Sequence, residues 1–151
     1  MALDDDIRTL SRVALFESLG EEHLRLLAFG AEPVRLPAGQ RLFREGDIAD
    51  SAFVVVSGRI GLYRSRGSGR EPVASVENGA ILSELALIAE SQRLMEAVAL
   101  VDSQLLRIDR KTFIRVLQEY PSLASTLYDR IADDLQALVN RLDRLSPHFE
   151  S

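Results

Sequence analysis

The two ends of the chain show the hydrophobic spacing of amphipathic helices. Between Asp4 and Phe29, apolar residues recur at steps of three and four, which predicts two short helices. The same period returns after Asp109, and Pro121 is placed to end one helix and begin the next. An apolar series at steps of four and three marks the last helix: Leu123, Leu127, Ile131, Leu135, Leu138, Leu142 and Leu145. This series predicts about six to seven helical turns, which Ser146-Pro147 ends.

A different pattern fills residues 31–109. Glycine and proline recur there at short intervals and separate short apolar runs, which is typical of strands joined by turns. The runs are Arg41–Phe43, Ala52–Val56, Ile60–Tyr63, Val73–Val76, Met95–Leu100 and Gln104–Ile108. The polar loop Ser65–Arg70 has the sequence of an exposed hairpin tip. We therefore expect one mainly β domain over residues 1–151, with N-terminal helices in 1–30, a barrel or jelly roll in 31–109 and C-terminal helices in 110–146.

The composition limits the kinds of functional site that the chain can contain. With 151 residues, 46% hydrophobic and 27% charged, the chain is typical of a single globular domain. It has no cysteine, which excludes disulfide scaffolds, thiol nucleophiles and thiolate metal sites. Metal-dependent enzymes built on a jelly roll need two or three converging histidines, whereas His23 lies in a predicted helix and His148 in the tail. We expect no catalytic residues, no metal site and no cofactor.

Charge and hydropathy indicate where the chain acts. Its 18 basic and 23 acidic residues give a net charge of −5, whereas free-standing nucleic-acid-binding proteins usually carry a basic surface. Met1 to Asp6 lacks the features of a secretion signal, and no window approaches a membrane-spanning run of apolar residues. We expect a cytoplasmic protein with neither nucleic acid nor membrane as a partner.

The segment 79–96 carries the most specific chemistry. A short helix that begins near Ser83 would direct free N–H groups toward an anion, and Arg93 could add a fork of donors. Glu84, in the first turn, could accept a hydrogen bond from a sugar hydroxyl beside that anion. The alternative is that Glu84 and Arg93 are ordinary solvated residues.

This segment resembles the phosphate-binding cassette of cyclic nucleotide-binding domains. The cassette typically reads Phe-Gly-Glu-Leu-Ala-Leu, a short loop, then Pro-Arg-Ala-Ala-Thr. This chain reads Leu82-Ser83-Glu84-Leu85-Ala86-Leu87, a loop, then Gln92-Arg93-Leu94-Met95-Glu96. Further matches follow in order over about residues 15 to 145: Leu15–Leu19, Leu36–Gln40, Leu42–Asp47, Phe53–Ile60 and Ile108–Phe113.

The resemblance implies an eight-stranded jelly roll with a cyclic nucleotide inside the barrel. It implies that Arg93 contacts the cyclic phosphate and Glu84 the ribose 2′-hydroxyl, and that the N–H groups of Ala86 and Leu94 contact phosphate oxygens. Ser83, Leu85 and Met95 complete the expected ligand-binding set. The long helix would act as lid, dimer interface or relay, with Leu138 and Val139 near the base. We expect a homodimer through Leu135, Leu138, Leu142 and Leu145.

Among the residues that depart from the cassette pattern, three bear most directly on the expected ligand. Ser83 stands where glycine is usual, and as a natural N-cap its oxygen would compete for the N–H groups of Leu85 or Ala86. Leu94 offers no hydroxyl to guanine, which makes cyclic GMP the less expected ligand. Glu96 stands where threonine is common, and strand alternation predicts that it faces away from Arg93.

Two functional hypotheses follow from this resemblance. The first is a cyclic nucleotide receptor, with cAMP as the expected ligand, that signals through its C-terminal helix to an unidentified protein effector. The second is a degenerate cyclic nucleotide-binding fold that has lost its ligand and acts as a dimeric interaction or scaffold module. Only four residues follow Pro147, so we expect no DNA-binding module. The haem and iron–sulfur sensors of the same superfamily do not fit the residues present.

Overall fold

The computed structural model of the chain describes residues 2–64 and 71–145. Within these ranges, side chains are described for all residues except Ala2, Leu135, Leu138 and residues 141–145. The predicted hairpin tip at Ser65–Arg70 and the predicted helix end at Ser146-Pro147 lie outside the described residues.

The N-terminal region folds into the two predicted helices, α1 (Ala2–Ser11) and α2 (Glu21–Gly30), with a 3₁₀ turn at Ala14–Phe16 between them. Their apolar faces supply fully buried side chains, among them Leu10 and Leu27. The 3₁₀ turn adds Phe16, whose ring lies 6.4 Å from that of Phe113 near the other end of the chain. The N-terminal helices therefore pack against the C-terminal ones.

The middle of the chain forms antiparallel sheets. In the described residues the strands are β1 (Glu32–Leu36), β2 (Arg41–Phe43), β3 (Ile48–Ala49), β4 (Ser51–Ser57), β5 (Ile60–Tyr63), β6 (Ala74–Val76), β7 (Ile81–Leu82), β8 (Ser91–Gln92), β9 (Glu96–Ala99) and β10 (Ser103–Asp109). One sheet has the order β1-β10-β4-β7, a second has the order β2-β9-β5-β6, and β3 pairs with β8. The mainly β fold with flanking helices is confirmed.

Strand β4 separates two apolar cores. Successive side chains of a strand point to opposite faces of its sheet. Ala52 and Val54 accordingly join the core beneath the helices, whereas Phe53 and Val55 join the core inside the barrel. The barrel core also contains Leu62, Leu82, Met95 and Leu105.

The C-terminal region contains α3 (Arg110–Glu119) and α4 (Pro121–Leu145). Asp109 caps α3 by accepting a hydrogen bond from the Thr112 N–H at 2.9 Å. In α4, the predicted apolar series begins as expected, because Leu127 and Ile131 are fully buried in the helical core. The side chains of Leu135, Leu138, Leu142 and Leu145 lie outside the described set, so the dimer interface assigned to them stays a prediction.

Candidate functional site

The cassette turn is built on a left-handed residue. Ser83 has φ 62° and ψ 42°, and among the described residues other than glycine it is the one with positive φ. Its side chain makes no capping hydrogen bond. The prediction that Ser83 acts as an N-cap is therefore wrong, because an N-cap side chain reaches back from extended backbone, which Ser83 does not have. Ser83 instead adopts the backbone conformation that glycine reaches without a Cβ penalty.

A single 3₁₀ turn, Glu84–Leu87, follows Ser83 where the short helix was predicted. Ala86 and Leu87 are fully buried and anchor the turn to the helical core. The Ala86 N–H donates to the Ser83 carbonyl at 3.0 Å. An anion that also bound this N–H would have to share it or displace the Ser83 carbonyl. Glu84 and Leu85 remain at the open side of the turn, where they line a cavity.

The cavity lies between the barrel and α4 and has a volume of about 310 Å³. This volume is at the lower end of the range of small-molecule sites. Five residues predicted from the sequence line it: Ser83, Glu84, Leu85, Leu94 and Met95. The remaining lining is largely apolar barrel wall, supplied by Phe43, Leu62, Val76, Ile81 and Leu82, with Ser91 and Gln92 at β8.

Glu84 is a half-buried acid, not a solvated surface residue. Its Oε2 atom is buried and has no hydrogen-bond partner among the described residues. The pKa of Glu84 is raised from 4.5 to about 8, first by burial and then by the charge and a hydrogen bond of the neighbouring Asp134 carboxyl. The Arg130 guanidinium acts in the opposite direction on the pKa but is outweighed. At neutral pH the Glu84 carboxyl is therefore mainly protonated.

Arg93 is also buried, with 6% of its surface exposed. Its Nη1 donates to the Ser51 carbonyl at 2.7 Å, and its guanidinium lies 4.6 Å from the Phe43 ring centre and 5.3 Å from that of Phe53. Its Nε is buried and has no partner among the described residues. Burial lowers the pKa of Arg93, while Asp50 opposes that change. The reading of Arg93 as an ordinary surface residue is excluded.

Phe43 separates Arg93 from the cavity. The ring of Phe43 belongs to the cavity wall, whereas the Arg93 side chain does not. The backbone around Arg93 is fixed, because its N–H donates to the Asp47 carbonyl and its own carbonyl accepts from the Gly46 N–H, each at 2.8 Å. The structure thus brings Glu84 into the cavity wall, whereas Arg93 lies outside that wall and against the Phe43 ring.

The residues after Arg93 differ in their surroundings. Leu94 lines the cavity with 42% of its surface exposed, and Met95 lines it from the barrel core. The Glu96 carboxylate forms an ion pair with Arg41 Nε at 2.8 Å. The negative charge at this departure from the cassette pattern is therefore matched by a cation of the neighbouring strand β2.

Helix α4 closes the cavity with residues that the sequence reasoning did not select. Asp134 and Ala137 line the cavity, whereas the predicted lid residue Val139 does not line it and is 37% exposed. The side chains of the other predicted lid residues, Leu135, Leu138 and Leu142, lie outside the described set. Helical geometry could have pointed to Asp134 from the sequence, because residue 134 follows the buried Ile131 by three positions and lies on the same face of the helix.

Residues 2–64 and 71–145 contain neither a metal site nor a membrane-spanning helix. No three His, Cys, Asp or Glu side chains come together there in a way that could hold a metal ion. In the same residues, every helix is too short or too polar to cross a bilayer.

Comparisons with known proteins agree with the family resemblance of the sequence. A family model described as the cyclic nucleotide-binding domain matches residues 33–120. The cyclic AMP receptor protein of Thermus thermophilus is 29% identical over 133 residues, which cover 87% of this chain and 62% of that protein. The cAMP-dependent protein kinase regulatory subunit of Blastocladiella emersonii is 28% identical over 125 residues, which cover 82% of this chain and 31% of that protein. The chain thus spans less than two thirds of the length of either relative.

A solved structure gives a similar result. The cyclic nucleotide-binding-like protein from Brucella abortus is 52% identical and superposes with a TM-score of 0.69, over 76% of this chain and 99% of that one.

Proposed function

Because the chain belongs to the cyclic nucleotide-binding domain family, we propose that it binds cAMP in the cavity between its cassette and α4 and reports occupancy through α4. The observation that carries this proposal is the position of Glu84. Its carboxyl stands in the wall of an otherwise largely apolar cavity, and its buried Oε2 has no protein partner among the described residues. The hydrogen bond between the Glu84 and Asp134 carboxyls leaves this second oxygen of Glu84 unpaired. Buried polar atoms are rarely left unpaired without a reason, and a ligand hydroxyl would pair this one.

In the proposed complex, the Glu84 carboxylate accepts a hydrogen bond from the ribose 2′-hydroxyl. The cyclic phosphate is recognised by Arg93, which has an unpaired buried Nε and packs on Phe43, a residue of the cavity wall. The first N–H groups of the 3₁₀ turn after Ser83 lack acceptors within the turn, so we assign them to the phosphate as well. Binding rather than catalysis is the role that we assign to this constellation.

The choice of cAMP over cyclic GMP rests on Leu94. Its side chain lines the cavity and is apolar, so it offers no acceptor or hydroxyl to a guanine amino group. The names of two relatives refer to cAMP, which supports the same choice.

The output that we propose is a movement of α4. This helix contributes Asp134 and Ala137 to the cavity, and its Leu127 and Ile131 are anchored in the helical core. A rearrangement at the cavity would therefore act on the part of α4 beyond that anchor. We assign a homodimer contact to Leu135, Leu138, Leu142 and Leu145, and the read-out to a protein effector in the cytoplasm.

Binding can be tested by calorimetric titration of the purified full chain with cAMP, cyclic GMP and 5′-AMP. We expect saturable binding of cAMP with a stoichiometry of one per chain, weaker binding of cyclic GMP, and none of 5′-AMP, which lacks the cyclic phosphate. Binding of all three with equal affinity would contradict recognition by the cassette.

A second function is favoured by the surroundings of Arg93. Its guanidinium already donates to Ser51 and stacks on two phenylalanine rings, as expected of a structural residue. A degenerate domain that acts as a dimeric scaffold would have this arrangement. A thermal-shift panel separates the two functions, because ligand at 100 times its Kd adds about 2.7 kcal/mol to folded-state stability. No shift with any cyclic nucleotide at millimolar concentration would favour the scaffold.

A further inference from the structure

Helix α4 is held over the cavity by polar contacts at three successive levels. Tyr128 Oη lies 3.5 Å from the Ile88 carbonyl oxygen, just after the cassette turn. Arg130 forms an ion pair with Glu17 at 2.7 Å. Asp134, about one turn further along, lines the same cavity as Glu84, and a hydrogen bond between the two carboxyls contributes to the raised pKa of Glu84. The cassette is therefore joined to α4 at the point where a ligand would lie.

The contact between Glu84 and Asp134 joins two acids. Two carboxylates in one half-buried site repel each other, and such pairs retain one proton between them well above the pH at which a lone carboxyl ionises. A cation could replace that proton, but the nearest one, Arg130, is engaged by Glu17. The contact is thus attractive only while one of the two carboxyls is protonated and donates to the other.

The other elements packed against the cassette turn do not alter this balance. Strands β4 and β8 contain no ionisable residue. In β10, Arg107 pairs with Glu32 and Asp50, and Asp109 caps α3. Helix α3 also packs against the turn, and none of its charged residues is among the groups that shift the pKa of Glu84: Arg110, Lys111, Arg115 and Glu119. Within the described part of the chain, the charged groups that act on Glu84 are Asp134 and Arg130, both from α4.

We propose that Glu84 and Asp134 share one proton in this arrangement and so latch α4 to the cassette, and that a ligand hydroxyl bound by Glu84 breaks the latch and releases the proton. The proposal rests on the function proposed above, since it assigns a regulatory step to the same cavity. The protons balance: the pair loses one proton to solvent, and the Glu84 carboxylate accepts the hydrogen bond of the ribose 2′-hydroxyl. Glu84 then has no proton to share with Asp134, and two acids face each other without a donor between them, so α4 moves away.

Two consequences follow for binding. Below about pH 8 the ligand competes with a proton, so affinity for cAMP rises with pH, by up to about tenfold per unit, and then levels off. A ligand without the 2′-hydroxyl gives Glu84 no replacement donor. We therefore expect 2′-deoxy-cAMP to bind more weakly and to release less than half of the proton that cAMP releases.

The ligand-dependent test is calorimetry of cAMP binding at pH 7 in two buffers that differ in protonation enthalpy. The full chain should release close to one proton, Glu84→Gln none, and Asp134→Asn distinctly less than the wild type. Asp133→Asn is the matched control, because Asp133 is the exposed neighbour of Asp134 on the same helix. Binding of cAMP with no proton release by the wild type would overturn the inference while leaving the proposed function in place.

The ligand-free test is a carbon-13 titration of the Glu84 side-chain carboxyl by NMR. We expect a midpoint near 8 in the wild type and in Asp133→Asn, and a lower midpoint in Asp134→Asn. An ordinary midpoint in the wild type, or no change in Asp134→Asn, would overturn the shared proton. Failure of cAMP to bind, together with the expected titration, would instead refute the proposed function and leave the latch as a pH-sensitive contact alone.

Discussion

The ring of Phe43 lies 4.6 Å from the guanidinium carbon of Arg93, and Phe43 also forms part of the cavity wall. A cation over an aromatic face is stabilised by the ring quadrupole, and more strongly where both are shielded from water. Phe43 thus holds Arg93 beside the cavity without exposing it there. A phosphate that enters the cavity must exchange this contact for a direct one.

The first prediction concerns Arg93. Arg93→Ala should weaken cAMP binding at least about thirtyfold, because removal of one partner from a buried charge pair costs on the order of 2–5 kcal/mol. Calorimetry measures the change, and circular dichroism verifies that the variant is folded. Arg115→Ala, at an exposed position of α3, serves as the matched loss of a positive charge and should bind cAMP as the wild type does. Unchanged affinity in Arg93→Ala would show that Arg93 does not contact the phosphate.

The second prediction concerns the pH dependence of stability. Glu84 has a pKa of about 8 in the folded chain and an ordinary value of 4.5 when unfolded, so the folded state holds more protons between these values. The free energy of unfolding therefore falls as the pH rises through this window. For a half-buried acid we expect Glu84 to contribute about 1–3 kcal/mol to that fall. Asp109 does not mask it, because its lowered pKa moves its own change to below 3.8.

Urea unfolding of the wild type and of Glu84→Gln at pH 5 and pH 8 measures this contribution. The amide of Glu84→Gln cannot titrate, so the free energy of unfolding should fall less in this variant than in the wild type between pH 5 and pH 8. Glu90→Gln, an exposed substitution of the same kind close to the cassette, should behave as the wild type does. Equal losses in all three proteins would mean that the Glu84 carboxyl titrates normally.

The third prediction concerns Ser83. A residue with a Cβ in the left-handed region is strained by about 1 kcal/mol, and glycine is not. Ser83→Gly should therefore raise the free energy of unfolding by up to about 1 kcal/mol. Ser83→Ala should leave it within about 0.5 kcal/mol of the wild type, since the serine hydroxyl makes no capping hydrogen bond. A loss of more than about 1 kcal/mol in Ser83→Ala, measured by chemical denaturation, would instead indicate an N-cap.

The fold was largely predictable from the sequence because its helices and main strands have regular hydrophobic periods. Strand β1 was not predicted, since Pro33 interrupts its pattern. The structure tolerates this proline because β1 lies at the edge of its sheet, where an N–H is dispensable. Strands β3 and β8 contain two residues each and exist through their mutual pairing, which no local pattern announces.

The candidate site was predictable only in part. The spacing within the cassette located Glu84 and Arg93, but the partners that define their chemistry come from distant segments. The Ser51 carbonyl that binds Arg93 lies 42 positions earlier in the chain. Asp134, which raises the pKa of Glu84, belongs to α4 and becomes its neighbour only through tertiary packing. Local sequence identifies which groups can react or bind, whereas the fold decides which charges they meet.

The last prediction tests the turn between β4 and β5. Gly58 has φ +92°, and a Cβ there would lie 2.7 Å from the Asp102 carbonyl oxygen, which belongs to the backbone and cannot turn aside. Gly39 has a similar φ of +85°, yet a Cβ there would meet no atom within 4 Å. Both Gly→Ala changes incur the strain of a left-handed residue, about 1 kcal/mol, but Gly58→Ala must also push the strand ends apart. We expect Gly58→Ala to lower the free energy of unfolding by about 2 kcal/mol more than Gly39→Ala does, as measured by urea denaturation. Equal losses in the two variants would mean that strain at the α-carbon, and not the contact with Asp102, fixes glycine at this turn.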